Sequence, residues 1–154
     1  MLKIHIPILG KIINLESLTV SEFQFYMECL HKYQQNEPFT SFQTFFQQPT
    51  NAWMKGSSRL TSELKNSPLG RAVLDFWYRL GQKQDFLGLE GEYEVEPFLE
   101  DNTLPLEAVM EICSCDELVV LDLLDQGELV GKKSDGNWQI SEQSVQYYQR
   151  SKQG

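Results

Sequence analysis

Four carboxylates stand close together in CDELVVLDLLD, at Asp116, Glu117, Asp122 and Asp125, among apolar residues and without a Lys or Arg between them. Side chains of this kind can move a proton or attract a cation. Acid pairs arise by chance in a chain with 22 Asp and Glu, so closeness alone assigns no catalytic role. Cys113 and Cys115 precede the carboxylates. A zinc site would need a second cysteine pair or a nearby histidine to complete it. The sequence offers neither, and His5 and His31 are isolated. Both cysteines therefore read as small apolar residues packed at a turn, spaced poorly for a mutual disulfide. The sequence has no phosphate-cradling glycine loop, zinc-binding histidine pair or recognisable nucleophile motif. The expectation is a non-enzymatic protein with no cofactor and no metal.

Composition narrows the partners. The 154 residues suffice for one ordinary domain or two small ones, and 41% hydrophobic content with 12% aromatics is globular. Net charge is −9. From Asn102 onward nine acids face four bases, a net of −5, which leaves −4 for residues 1–101. Neither part is a basic domain, so nucleic acid and anionic membrane are disfavoured partners. No apolar run approaches the ~20 residues of a membrane span. The start, MLKIHIPILGKIINL, is read as structure and not as a signal peptide. Three cysteines without a framework spacing suit a reducing cytoplasm.

The elements that must position these residues follow from periodicity. Leu2, Ile4, Ile6 and Ile8 alternate with Lys3, His5 and Pro7, which predicts a half-buried strand that Pro7 confines to an edge or ends. A helix is expected over LTVSEFQFYMECLHKYQQN, with Thr19 and Glu22 as a capping box. Short helices are expected over TSFQTFFQQPT and SSRLTSELKN, the first stopped by Pro49. SPLGRAVLDFWYRLGQ predicts a helix capped by Ser67, with Pro68 in its first turn and Gly81 after its last apolar residue. Trp53, Trp77 and Trp138 read as core, since no basic residues interleave with them. These elements suggest a helical N-terminal unit over residues 1–87. A connector follows over 88–103, in which EYEVE has the pattern of a short strand.

The C-terminal part, residues 104–154, is patterned most sharply. LPLEAVMEICS and CDELVVLDLLDQG predict two helices, the second capped by Asp116 and ended by Gly127. Ser134-Asp135-Gly136-Asn137 predicts a hairpin, with Trp138 or Ile140 packed back on the helices and Gln139 outward. A buried Trp138 implies a cost of ~3–5 kcal/mol for Trp138→Ala. SEQSVQYYQRSK begins at a serine cap and predicts a last helix with Val145, Tyr148 and Tyr147 facing inward. The fold class expected for the chain is mainly α (α+β).

Helix, turn, helix, hairpin and helix in this order resemble the excisionase and MerR-type winged helix-turn-helix family. The likeness is carried by Ile112 and Cys115 flanking the turn, DQGEL at 125–129, the strand Trp138-Gln139-Ile140-Ser141 and the helix after it. The resemblance implies a second helix in the major groove and a hairpin gripping phosphate. This chain departs from the family where its second helix should meet DNA, because Asp116, Glu117, Asp122 and Asp125 occupy positions usually held by Ser, Thr, Arg or Lys. Carboxylates facing phosphate repel it and release no counterions. The expectation is a cytoplasmic regulatory or adaptor protein that binds a basic or apolar protein surface through Asp116, Glu117, Leu118, Leu121, Asp122 and Asp125. The alternative is a DNA-binding regulator using Lys132, Lys133, Arg150 and Lys152 on phosphate. A self-associating scaffold, seen as a homodimer, is a third reading. No membrane partner is expected.

Overall fold

A computed structural model describes residues 1–86 and 96–153. In chain order its first elements are β1 (Leu2–His5), β2 (Ile13–Asn14), α1 (Val20–Gln34), α2 (Phe39–Phe46), α3 (Ser62–Asn66) and α4 (Pro68–Lys83). There follow β3 (Phe98–Asp101), β4 (Thr103–Leu104), α5 (Leu106–Cys113), α6 (Glu117–Asp125), β5 (Gly131–Ser134), β6 (Asn137–Ser141) and α7 (Glu142–Gln153). The fold is mixed, with helices beside two three-stranded antiparallel sheets. The expected strand EYEVE falls largely outside the described residues.

The chain divides into two compact units. One comprises Met1–Ile6, Gly10–Glu16 and Pro97–Gly154, and the other Pro7–Leu9 with Ser17–Glu96. The boundaries differ from a division at residues 87 and 103 because backbone pairing groups the first strand with elements far along the chain. β1 pairs with β2 on one side and β3 on the other, with Ile4 opposite both Asn14 and Leu99. It is thus a central strand, and part of the expected connector is its partner. Pro7, which has no N–H to donate, lies just past the end of the pairing. His5, expected on the outer side, is fully buried.

In the helical unit the local signals are realised as atoms. The Thr19 hydroxyl accepts from Glu22 N–H at 3.2 Å, and the Glu22 carboxylate accepts from Thr19 N–H at 3.0 Å. Ser67 caps α4 by accepting from Gly70 N–H at 3.0 Å. α4 runs past Gly81, which is buried within it, to a cap at Gln84. Tyr26, Phe42, Phe46, Trp53, Val73 and Phe76 are buried here, as the apolar spacing predicts. The interior also holds an ion pair between Arg79 and Asp75 at 2.7 Å, and Asp75 accepts from Ile8 N–H at 2.8 Å.

The other unit carries the acidic helix. Its core joins Val109 of α5, Val120 of α6, Leu129, Ile140 of β6 and Val145 of α7. β5 and β6 form a hairpin through Asp135 (φ 52°) and Gly136 (φ 80°). Both torsions are positive, as a two-residue turn matched to strand twist requires. A buried polar junction anchors α7: Asp101 accepts from the Ser141 hydroxyl and from Gln143 N–H. Ser141 in turn accepts from Ser144 N–H at 3.1 Å, and the Ser144 hydroxyl accepts from Val130 N–H at 3.1 Å. Ile140 is fully buried, whereas Trp138 and Gln139 are both half-buried. The side chain of Trp138 packs along the edge of the core and not inside it. Tyr147 is exposed, against the inward position expected of it, and Ile112, which flanks the turn, is exposed as well.

Candidate functional site

α6 begins at Asp116, whose carboxylate accepts from Val119 N–H at 3.0 Å. It follows a left-handed Ser114 (φ 53°, ψ 45°), which ends α5 and redirects the chain. Val120 faces the core, with Leu123 and Leu124 packed beside it. At 100° per residue the opposite face then carries Leu118, Asp122 and Asp125, spaced i, i+4 and i+7. All three are exposed, Leu118 at 77%. Val119 and Ile112 are exposed on either side of the turn region at 42% and 43%. The acidic helix therefore carries apolar side chains on its solvent side.

Glu117 and Leu121, on the flank of α6, line a groove of about 490 Å³ with Pro105, Leu106 and Glu107 at the start of α5. Its other wall is the hairpin, through Lys133, Gly136, Asn137 and Trp138. Leu106, Leu121 and Trp138 supply apolar contact, while two glutamates against one lysine leave the lining acidic. Leu106, Glu107 and Trp138 are not among the residues that sequence spacing selects. They come from two elements, α5 and β6, and only the packing of α5 and the hairpin brings them beside α6.

Asp122 and Asp125 stand in the last turns of α6, where the helix dipole is negative and a carboxylate is unfavourable. Asp122 accepts from the Gln126 amide at 2.9 Å. α6 has no basic residue in its last turn. Lys11 approaches that end instead, 3.4 Å from the Gln126 carbonyl and 2.9 Å from Glu128.

The four candidate cations have different surroundings. Lys132 pairs with Glu16 at 3.7 Å, and Lys133 lines the acidic groove. Arg150 is exposed near the end of α7, and the Lys152 ammonium lies over the Tyr148 ring at 5.0 Å. Tyr148 raises the Lys152 pKa, first by hydrogen bonding and then by charge. Among the described residues no group of three or more His, Cys, Asp or Glu side chains converges as a metal site, and no helix is long and apolar enough to cross a membrane. No protein-family model, curated protein or solved structure matches the chain.

Proposed function

We propose that the unit carrying α6 is a protein-interaction module of a non-enzymatic, cytoplasmic regulatory or adaptor protein. The outer face of α6 and the adjoining groove receive a partner segment in which basic and apolar side chains occur together. One observation carries this reading: Leu118 stands 77% exposed in a stripe with two carboxylates. Water is a poor solvent for that side chain, and burying it under a partner returns roughly 25 cal/mol per Å² of apolar surface. The carboxylates beside it select for cations and against phosphate. Helix, left-handed turn, helix, hairpin and helix follow one another as in a winged helix-turn-helix, which supports a recognition scaffold whose surface is turned from nucleic acid to protein.

The test is affinity capture from native lysate with wild type and with the Glu117→Lys, Asp122→Lys double variant. Loss of specific partners from the variant is expected, and an unchanged partner set would sink the surface assignment. A mobility-shift assay over a range of salt addresses the nucleic-acid alternative. Binding that falls steeply with salt and vanishes on replacing Lys132 and Lys133 would overturn the protein-partner reading. A homodimer by light scattering that excludes all other partners would establish self-association in its place.

A further inference from the structure

Cys113 and Cys115 flank Ser114, the residue that ends α5 in the left-handed conformation. On a continuous right-handed helix, side chains two apart point to different faces. The left-handed residue reverses the path of the chain, and both cysteines pack, half-buried, against the same cluster of Val109, Val120, Leu129, Ile140 and Val145. Backbone spacing is favourable as well. A residue with mirror-image helical torsions holds its neighbours' Cα atoms about 5.4 Å apart, from a helix radius near 2.3 Å and a rise near 1.5 Å. That distance lies inside the roughly 4.4–6.8 Å range of disulfides. That spacing is the same for either helical hand, so what the left-handed torsion changes is direction, and it brings both side chains to one cluster.

The thiols also interact. Burial pushes the Cys113 thiol up, the neighbouring Cys115 adds to that by charge and by a side-chain hydrogen bond, and the Lys152 ammonium pulls the other way. Cys29 differs, being fully buried within α1 with its thiol pushed up by the loss of water.

We propose that Cys113 and Cys115 are a reversible modification site, a dithiol that closes to an intramolecular disulfide across Ser114 by exchange with a small-molecule disulfide. One protein thiolate attacks a sulfur of that disulfide, forming a mixed disulfide and releasing one small thiolate, which takes up a proton. The second protein thiolate attacks the protein-side sulfur of the mixed disulfide, forming the Cys113–Cys115 bond and releasing the second small thiol. The protein loses two electrons and two protons, and the small disulfide gains them. A bond in so tight a ring is of the reducible, labile kind and not a permanent staple. It spans the turn joining α5 and α6, so oxidation fixes the two helices that line the groove. The site stands on the turn geometry and does not depend on what the groove binds.

The full chain is equilibrated with oxidised glutathione, its remaining thiols are alkylated, and the peptides are weighed. Expected is one peptide holding Cys113 and Cys115 lighter by two hydrogens and untagged, restored by reduced glutathione, with Cys29 unmodified until the protein unfolds. In Cys115→Ser the reaction should halt at glutathione on Cys113, with a mixed-disulfide fraction at least about tenfold above wild type, since closure consumes it. Ser114→Gly, which keeps the left-handed turn, should close as wild type does. Mixed disulfides that persist on wild type, disulfide-linked dimers, or full tagging of both cysteines at the highest oxidant would each overturn the proposal.

Discussion

Cys29 and Tyr26 sit in the interior of the helical unit, and burial sets their protonation. Desolvation is the first cause of the raised thiol and the raised phenol, and the Asp75 carboxylate adds to the second. The unfolded chain ionises the two groups near their ordinary values of 9.0 and 10.0, while the folded chain keeps its protons to higher pH. Above pH 9 the unfolded state therefore binds fewer protons, and stability falls as pH rises. The contribution is complete below pH 9 and is lost through the alkaline range. A denaturant midpoint that declines from pH 9 to 11, with a shallower slope in Cys29→Ala, is the expected result. A midpoint independent of pH over that interval would contradict the burial of both groups.

In α6 the carboxylates at the two ends have opposite consequences for the helix. Asp116 and Glu117 suit the positive N-terminus, whereas Asp122 and Asp125 oppose the negative C-terminus. Asp125→Lys should therefore stabilise the unit by about 0.3–1 kcal/mol in thermal or denaturant unfolding. If the outer face is an interface, the same change should weaken capture of the partner. A gain in stability with undiminished capture would mark Asp125 as ordinary solvated surface. The hairpin gives a second test. Trp138 is half-buried at the core edge, so Trp138→Ala should cost less than the ~3–5 kcal/mol of a fully buried large aromatic. Denaturant unfolding that places the cost within or above that range would show a more deeply seated ring.

Much of the local structure was legible in the sequence because it is written in short-range chemistry. The Thr19–Glu22 capping box, the Ser67-Pro68 start of α4, the Asp116 cap and the Asp135-Gly136 turn each need only a few neighbouring residues to form. Long-range pairing was not legible. Nothing near β1 announces β2 and β3 as partners on its two edges, so alternation alone puts His5 outside and chain order alone puts the first strand with the helices that follow it. The candidate site divides in the same way. The exposed stripe of α6 follows from helical period, but the groove draws Leu106, Glu107 and Trp138 from elements that meet only in the folded unit. The torsion of Ser114 that joins two thiols on one core has no signal in sequence beyond a serine between cysteines.

An acidic chain of net charge −9 that exposes Leu118 between carboxylates should bind its partner through both kinds of contact at once. The most direct measurement is the equilibrium affinity of a captured partner for wild type and for Leu118→Ser, at low and at high salt, with unfolding followed in parallel. An exposed side chain contributes little to folding, so stability should change by no more than about 0.5 kcal/mol. Losing an apolar anchor of ~1–2 kcal/mol should weaken the partner by roughly 5- to 30-fold at either salt concentration. Added salt should weaken wild type and variant by the same further factor, because the carboxylates remain. An unchanged affinity in Leu118→Ser, with the fold intact, would contradict the assignment of the outer face of α6 as the binding surface.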